Sequence, residues 1–111
     1  MGEYWKPVNL TRKEFIHPHR LNDGLKWGEW TSPHTRTMRA IDALLRVGCW
    51  KQDDDIRAVS DSGNQQQLRG SPDPDVDGVT LYQDARVFYK DVSSLAADLV
   101  SCEFVPLVPI G

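Results

Sequence analysis

The residues with the clearest potential for chemistry form an acidic run, DPDVDGVTLYQD, at residues 73–84. Its aspartates stand at the first, third, fifth and twelfth positions and a glycine at the sixth, close to the spacing of an EF-hand calcium loop. The twelfth position holds aspartate instead of the longer glutamate, and no helix is predicted to enter the run. The sequence therefore favours a solvated acidic loop, with a calcium site as the alternative. The candidate ligands are Asp73, Asp75, Asp77 and Asp84.

A second metal-binding pattern is the tripeptide His17-Pro18-His19. On an extended chain, residues i and i+2 point to the same side, so both imidazoles could reach one zinc ion. With His34, the third histidine of the chain, they would form the site of a metal-dependent hydrolase. No zinc-finger spacing, nucleophile elbow or phosphate-binding glycine loop is present. We therefore expect no cofactor and favour a protein that is not an enzyme, with calcium or zinc left open.

Four tryptophans fall within the first fifty residues and are interleaved with basic side chains. Aromatic rings next to arginine and lysine stack on bases or nucleotides, and tryptophan with arginine also forms the energetic centre of protein interfaces. Tryptophan can equally supply the bulk of a small hydrophobic core. We favour a protein partner, with a nucleotide or small ligand as the alternative. The candidate binding residues are Trp5, Trp27, Trp30, Arg36, Arg39 and Trp50.

The length and composition are typical of one globular domain. The chain has 111 residues, of which 40% are hydrophobic and 26% charged. A net charge of −3 argues against general nucleic-acid binding, which usually needs a basic surface. No apolar run is long enough for a membrane span, and the first residues do not form a secretory signal. We expect a cytoplasmic protein whose two cysteines, Cys49 and Cys102, are buried reduced thiols.

The clearest element is a helix at about residues 33–47. Met38, Ile41 and Leu44 recur at three-residue spacing, Pro33 suits a first helical turn, and Gly48 suits the end of a helix. Upstream, residues 4–10 and 14–17 predict two short strands. Pro7 lacks a backbone N–H, so we expect the first of them to lie at a sheet edge or to bend there.

The second half of the chain is less regular. Residues 56–60 alternate as a half-buried strand, and residues 61–78 predict a flexible loop or a hairpin with a loose end. Aromatic and β-branched residues favour a strand at 85–90, followed by a short helix that Asp91 or Ser93 caps and that extends to Leu99. The prediction is a single α+β domain over residues 1–111, with a mainly antiparallel sheet packed against one main helix and a short C-terminal helix.

The opening of the chain resembles a family of small bacterial proteins without an established function. The resemblance rests on Tyr-Trp-Lys-x-Val-Asn at residues 4–9 and on Phe-Ile-x-Pro-His at residues 15–19. It continues more weakly at 50–60 and 81–93. It implies a bacterial or phage cytosolic protein and no particular functional residue. With the composition, it leads us to expect a non-catalytic interaction protein, for example one acting in immunity or anti-defence.

Overall fold

The protein is an α+β domain, which confirms the predicted fold class. The structure, a computed structural model, describes residues 3–71 and 76–104. In these two segments the chain forms five strands, three α-helices and a 3-10 turn at Pro18–Leu21. No helix in them is both long and apolar enough to cross a membrane. The strands are β1 (Trp5–Asn9), β2 (Glu14–Phe15), β3 (Ile56–Ser60), β4 (Gln65–Arg69) and β5 (Lys90–Asp91), and the helices are α1 (Arg36–Val47), α2 (Gly78–Val87) and α3 (Ser93–Phe104).

The five strands form one mixed, mostly antiparallel sheet in the order β4-β3-β1-β2-β5. Strand β1 lies at its centre, so the prediction of an edge strand was wrong. Pro7 is tolerated there because its carbonyl, which accepts the N–H of Ile16 at 3.1 Å, points toward β2. In an antiparallel strand the missing N–H would point the same way, and the β1–β2 pairing covers only Val8 and Asn9. Its absence therefore removes no bond from the ladder between β1 and β3.

Helix α1 confirms the strongest helix prediction, although it starts three residues later than expected. Thr35 is its N-cap, and the Thr35 hydroxyl accepts the backbone N–H of Met38 at 3.2 Å. Gly48 ends the helix with a φ of 85°, a left-handed conformation that favours glycine. The buried face of α1 packs against α3 and one face of the sheet.

Helix α2 replaces the first half of the strand predicted at residues 85–90, and only Lys90 at its end belongs to a strand, β5, so the prediction was wrong for the rest. Asp77 caps the helix by accepting the N–H of Thr80 at 2.9 Å. Leu81 and Ala85, one turn apart, are buried against the sheet. This burial outweighs the modest strand preference of the aromatic and β-branched residues around them.

The sheet separates two hydrophobic clusters. Helices α1 and α3 and the 3-10 turn cover one face, where Trp30, Leu44 and Trp50 are fully buried. Helix α2 covers the other face, where Val8 and Phe15 contribute to a smaller cluster. Because both faces are covered, the last four residues of the central strand β1 are buried, and Trp5 at its start is partly exposed.

The remaining predictions give a mixed result. The strand predicted at 56–60 is β3, but all five of its residues are buried, so the expectation of a half-buried strand was wrong. The predicted C-terminal helix is α3, which continues past Leu99 to Phe104, and Asp91, one of its two predicted caps, accepts the N–H of Ser93. Part of the predicted loop at 61–78 is strand β4, which forms a hairpin with β3. Cys49 is exposed, which corrects the expectation of a buried thiol, because it follows the last turn of α1 beside Gly48. The side chain of Cys102 lies outside the described residues.

Candidate functional site

A cavity of about 360 Å³ lies at the N-terminal end of β1, on the face of the sheet that α2 covers. It occurs where β2 ends and the chain leaves the sheet toward the 3-10 turn, so the N-terminal part of β1 is paired with β3 on one side and has no strand on the other side. The backbone of Leu25 closes this side by accepting the N–H of Trp5 at 2.7 Å. The cavity is lined by Trp5, Lys6, Phe15, His17, Leu25, Tyr82 and Arg86.

Lys6 is the unusual residue of this cavity because its charged side chain is only 6% exposed. Its Nζ lies over the rings of Phe15, at 4.5 Å from the centroid, and Tyr82, at 4.3 Å. Within the described part of the chain, this amine has no hydrogen bond or ion pair. Buried charges in proteins are normally paired, so an ammonium group held only by two aromatic faces is exceptional.

The surroundings of Lys6 disfavour its charged form. Burial, and then the positive charge of Arg86, lower the pKa of Lys6 from 10.5 to about 8, and Asp91 opposes this only in part. The Asp91 carboxylate is itself engaged: it accepts the N–H of Ser93 at 2.9 Å and lies 3.7 Å from Arg20. Lys6 therefore lacks a dedicated counter-ion among the described residues.

The electrostatic character of the cavity is positive. None of the described residues that line it is acidic, while Lys6, Arg86 and His17 are basic. Burial, and then the charge of His19, lower the pKa of His17, and its buried Nδ1 has no hydrogen-bond partner in the described structure. Burial, and then Asp61, raise the pKa of Tyr82, so its phenol stays neutral.

This arrangement can bind an anion. Two cationic side chains supply charge-assisted hydrogen bonds, and Trp5, Phe15 and Tyr82 supply flat apolar walls. Because the interior has a lower dielectric than water, the attraction between Lys6 and an anion in the cavity is stronger than at the surface. The volume is near the lower end of the range for small-molecule sites.

The structure brings together two of the four tryptophans proposed for binding. The rings of Trp5 and Trp27 pack edge to face with centroids 4.8 Å apart. They line an open cleft of about 600 Å³ next to the cavity. Trp30 and Trp50 are buried in the core, where their indole N–H groups donate to Trp5 O and Glu14 Oε1. Their side chains therefore contribute core volume and no binding surface.

The two arginines proposed for binding lie away from the cavity. Arg36 is exposed in the first turn of α1. Arg39 borders a separate depression of about 330 Å³ between α1 and β4, next to Leu68 and Arg69. Neither arginine lines the cavity or the cleft formed by the Trp5–Trp27 pair.

The proposed metal ligands are not assembled in the described residues, which contain no group of three or more His, Cys, Asp or Glu placed to hold an ion. Asp77 caps α2 and Asp84 lies inside it, seven positions and roughly 10 Å along the axis. One calcium ion with ligands about 2.4 Å away cannot reach both carboxylates. Asp73 and Asp75 lie outside the described residues.

The histidine pattern gives a pair and no triad. The rings of His17 and His19 stack with centroids 5.7 Å apart and planes 28° apart. His34 is exposed in the turn before α1 and does not join them. A zinc-dependent hydrolase stays a prediction that no feature of the described residues favours.

The sequence analysis missed the cavity residues Lys6, Tyr82 and Arg86. Lys6 carried a usable signal: it alternates with Val8 on one face of β1, which is the pattern of a buried position. That signal indicates burial only in a central strand, and Pro7 led us to predict an edge strand. Tyr82 and Arg86 are four residues apart on α2, a spacing that places them on one face only if the segment is helical.

Comparison of the chain with protein-family models, with curated proteins and with solved structures finds no match. The resemblance of the opening residues to a bacterial family therefore stays a prediction.

Proposed function

We propose that this protein binds a small anionic ligand with a flat apolar part, without catalysing its conversion. This corresponds to the small-ligand alternative left open by the sequence. The observation that carries the proposal is Lys6, a residue only 6% exposed whose ammonium group faces a cavity, contacts two aromatic rings and has no hydrogen bond or ion pair among the described residues. A bound anion would supply the missing counter-charge.

The position of the basic side chains supports a specific anion site. Basic residues that only served solubility would not need to line one cavity. The whole chain has a net charge of −3, yet the described lining of this cavity holds basic groups and no acidic one. An anion would be repelled by much of the surface and attracted to this cavity. The aromatic walls would add stacking to the charge interaction and favour a planar ligand.

Phenyl phosphate is a suitable probe because it combines an anionic group with one aromatic ring. Measured by isothermal titration calorimetry, its affinity should exceed that of neutral benzyl alcohol and of inorganic phosphate by about tenfold each. The comparison with benzyl alcohol tests the charge, and the comparison with inorganic phosphate tests the aromatic walls. Equal affinity for phenyl phosphate and benzyl alcohol would refute the proposal.

Arg86 provides a variant test of the same site. Arg86→Gln should weaken phenyl phosphate binding about tenfold, because it removes one of the two cations of the cavity. The matched control is Arg36→Gln, which removes an exposed arginine from α1 and should leave the affinity unchanged. If both variants weaken binding equally, the affinity depends on the net charge of the protein and not on this cavity.

The affinity should also depend on pH. Lys6 attracts an anion only when it is protonated, so binding should weaken as the pH rises through about 8, the pKa of Lys6 without ligand. The other titratable or charged groups that act on Lys6 are Arg86 and Tyr82 from α2, His17 after β2, and Asp91 from β5. Of these, His17 changes charge below neutral pH because its pKa is lowered.

A protein partner, the first choice from the sequence, remains a second proposal. It is favoured by Val87 and Phe88 at the end of α2, which are 68% and 78% exposed. In a bacterial or phage cytosol such a partner would belong to an immunity or anti-defence system. Phe88→Ser should remove a specific partner captured by the wild-type protein from a native lysate. Unchanged capture would exclude this surface.

A further inference from the structure

Lys6 differs from the other lysines of the chain in its surroundings. Lys13, Lys26, Lys51 and Lys90 are all exposed, whereas Lys6 is 6% exposed and lines the cavity. Water surrounds the exposed amines. The amine of Lys6 instead lies between two aromatic rings, near a second cation.

An amine in this environment is a potential nucleophile. Lysine reacts with carbonyl carbon only as the neutral amine, and both an apolar pocket and a neighbouring cation increase the neutral fraction. With a pKa of about 8, about a quarter of Lys6 is neutral at pH 7.5, against about one part in a thousand for an ordinary lysine.

We propose that Lys6 forms an imine with a small aldehyde or ketone that carries an anionic group, and that Arg86 binds this group. The inference rests on the proposed anion site and extends it from ionic to covalent binding. It narrows the ligand class to anionic carbonyl compounds. The aromatic walls of the cavity favour planar, conjugated members of this class.

The reaction balances without an oxidant or a reductant. The lone pair of the neutral Lys6 Nζ attacks the carbonyl carbon, and the resulting carbinolamine loses its oxygen as water together with both amine hydrogens. One C=N bond replaces one C=O bond, and no group other than water leaves. The step is reversible, so the protein would hold the ligand without converting it.

Reductive trapping tests the inference directly. The protein is incubated with 4-formylbenzoate and sodium cyanoborohydride, whose hydride reduces an imine to a stable secondary amine. Peptide mass mapping should locate the adduct at Lys6, formed about tenfold faster than at any exposed lysine. Mapping also separates Lys6 from the α-amino group of the purified chain, which has a similar pKa. An adduct distributed over the exposed lysines would overturn the inference.

The anionic group is tested by changing the aldehyde and the arginine. Neutral 4-methylbenzaldehyde should label Lys6 about tenfold more slowly than 4-formylbenzoate. Arg86→Gln should remove most of this difference by slowing only the anionic aldehyde. If Arg86→Gln slows both aldehydes equally, Arg86 does not bind the anionic group.

Lys6→Arg separates this inference from the anion site on which it rests. Arginine keeps the positive charge but cannot form the imine, so this variant should retain phenyl phosphate binding and lose the adduct. If wild-type protein binds phenyl phosphate but gives no adduct at Lys6, imine formation is refuted and the anion site stands. If phenyl phosphate does not bind while 4-formylbenzoate still labels Lys6 selectively, the non-covalent anion site is refuted instead.

The pH dependence distinguishes the two modes further. Non-covalent anion binding should weaken above pH 8, whereas the fraction of Lys6 present as the imine at saturating 4-formylbenzoate, measured without reductant by the absorbance of the conjugated imine, should rise as Lys6 loses its proton. Arg86, Tyr82, His17 and Asp91 face or act on this amine. An imine fraction that falls in parallel with the affinity would contradict a neutral Lys6 nucleophile.

Discussion

Replacing Lys6 with methionine is expected to abolish phenyl phosphate binding and, at the same time, to raise the free energy of unfolding by about 1–2 kcal/mol at pH 7. A substitution that abolishes binding and increases stability would show that Lys6 serves ligand binding and destabilises the folded protein. Urea denaturation and calorimetry measure the two effects on the same preparation.

The expected gain in stability follows from the energetics of the buried amine. Lowering the pKa of Lys6 from 10.5 to about 8 means that its surroundings disfavour the protonated form by about 3 kcal/mol. The two cation–π contacts offset about 1–2 kcal/mol of this. Methionine has a similar length, contacts both rings through its sulfur and carries no charge.

The pH dependence of the stability difference between Lys6→Met and the wild type tests whether the buried charge of Lys6 is the cause. Between pH 8 and 10.5 the unfolded chain binds more protons at Lys6 than the folded protein does, so wild-type stability rises with pH in this range. The advantage of Lys6→Met should therefore be largest below pH 8 and shrink toward pH 10.5. Comparing the variant with the wild type cancels the titration of the other groups.

Lys26→Met is the matched control, because Lys26 is exposed beside the neighbouring Trp27 cleft. It should change stability by less than about 0.5 kcal/mol and leave phenyl phosphate binding intact. A loss of more than about 1 kcal/mol in Lys6→Met would mean that Lys6 has a structural role, and would contradict this account.

Asp54→Ala should cause the largest loss of stability of the variants considered, about 3 kcal/mol. The Asp54 carboxylate is buried, and one oxygen, Oδ2, accepts three hydrogen bonds. They come from Asn9 Nδ2 at 2.9 Å, Arg12 Nε at 2.7 Å and the N–H of Lys51 at 2.9 Å. Removing the carboxylate leaves the fully buried Asn9 amide without this acceptor.

The contribution of Asp54 to the free energy of unfolding should also depend on pH. Burial alone would raise the pKa of Asp54, but the hydrogen bonds from Asn9, Lys51 and Arg12 outweigh it and hold the pKa below 3.8. The contribution is thus complete above pH 3.8 and is lost as the pH falls through the lower, folded-state pKa. The stability difference between wild type and Asp54→Ala should shrink in that acidic range.

Asp53→Ala is the control for Asp54→Ala because Asp53 is the adjacent residue in the same turn and is exposed. It should change the free energy of unfolding by less than about 0.5 kcal/mol. Equal losses of stability in the two variants would show that the negative charge of the turn stabilises the fold. The hydrogen bonds to Asp54 Oδ2 would then not explain the loss in Asp54→Ala.

The sequence predicts the fold best where local signals agree with each other. Helix α1, for example, combines an apolar face, a hydroxyl cap and a terminal glycine. Helix α2 was missed because its sequence is ambiguous by itself. The position of Gly78 explains its start: a Cβ there would lie 2.0 Å from Gly63 O, so only glycine allows α2 to pack on the β3–β4 turn.

The candidate site was harder to predict because it depends on tertiary contacts. The central position of β1 follows from pairings with residues more than forty positions away. Lys6 is buried only because of that position and because α2 covers the strand. The tryptophans illustrate the same limit, since composition cannot distinguish the half-exposed Trp27 from the fully buried Trp30 three residues later.

The most direct test of the central claim is an NMR titration of the Lys6 side chain. Protein with ¹³Cε-labelled lysine is titrated with and without phenyl phosphate, and Lys6→Arg identifies the Lys6 signal. The account predicts that Lys6 titrates near pH 8 in the free protein and at a higher pH with phenyl phosphate bound, because an anion stabilises the protonated amine. A Lys6 signal that titrates near 10.5 and does not respond to phenyl phosphate would contradict it.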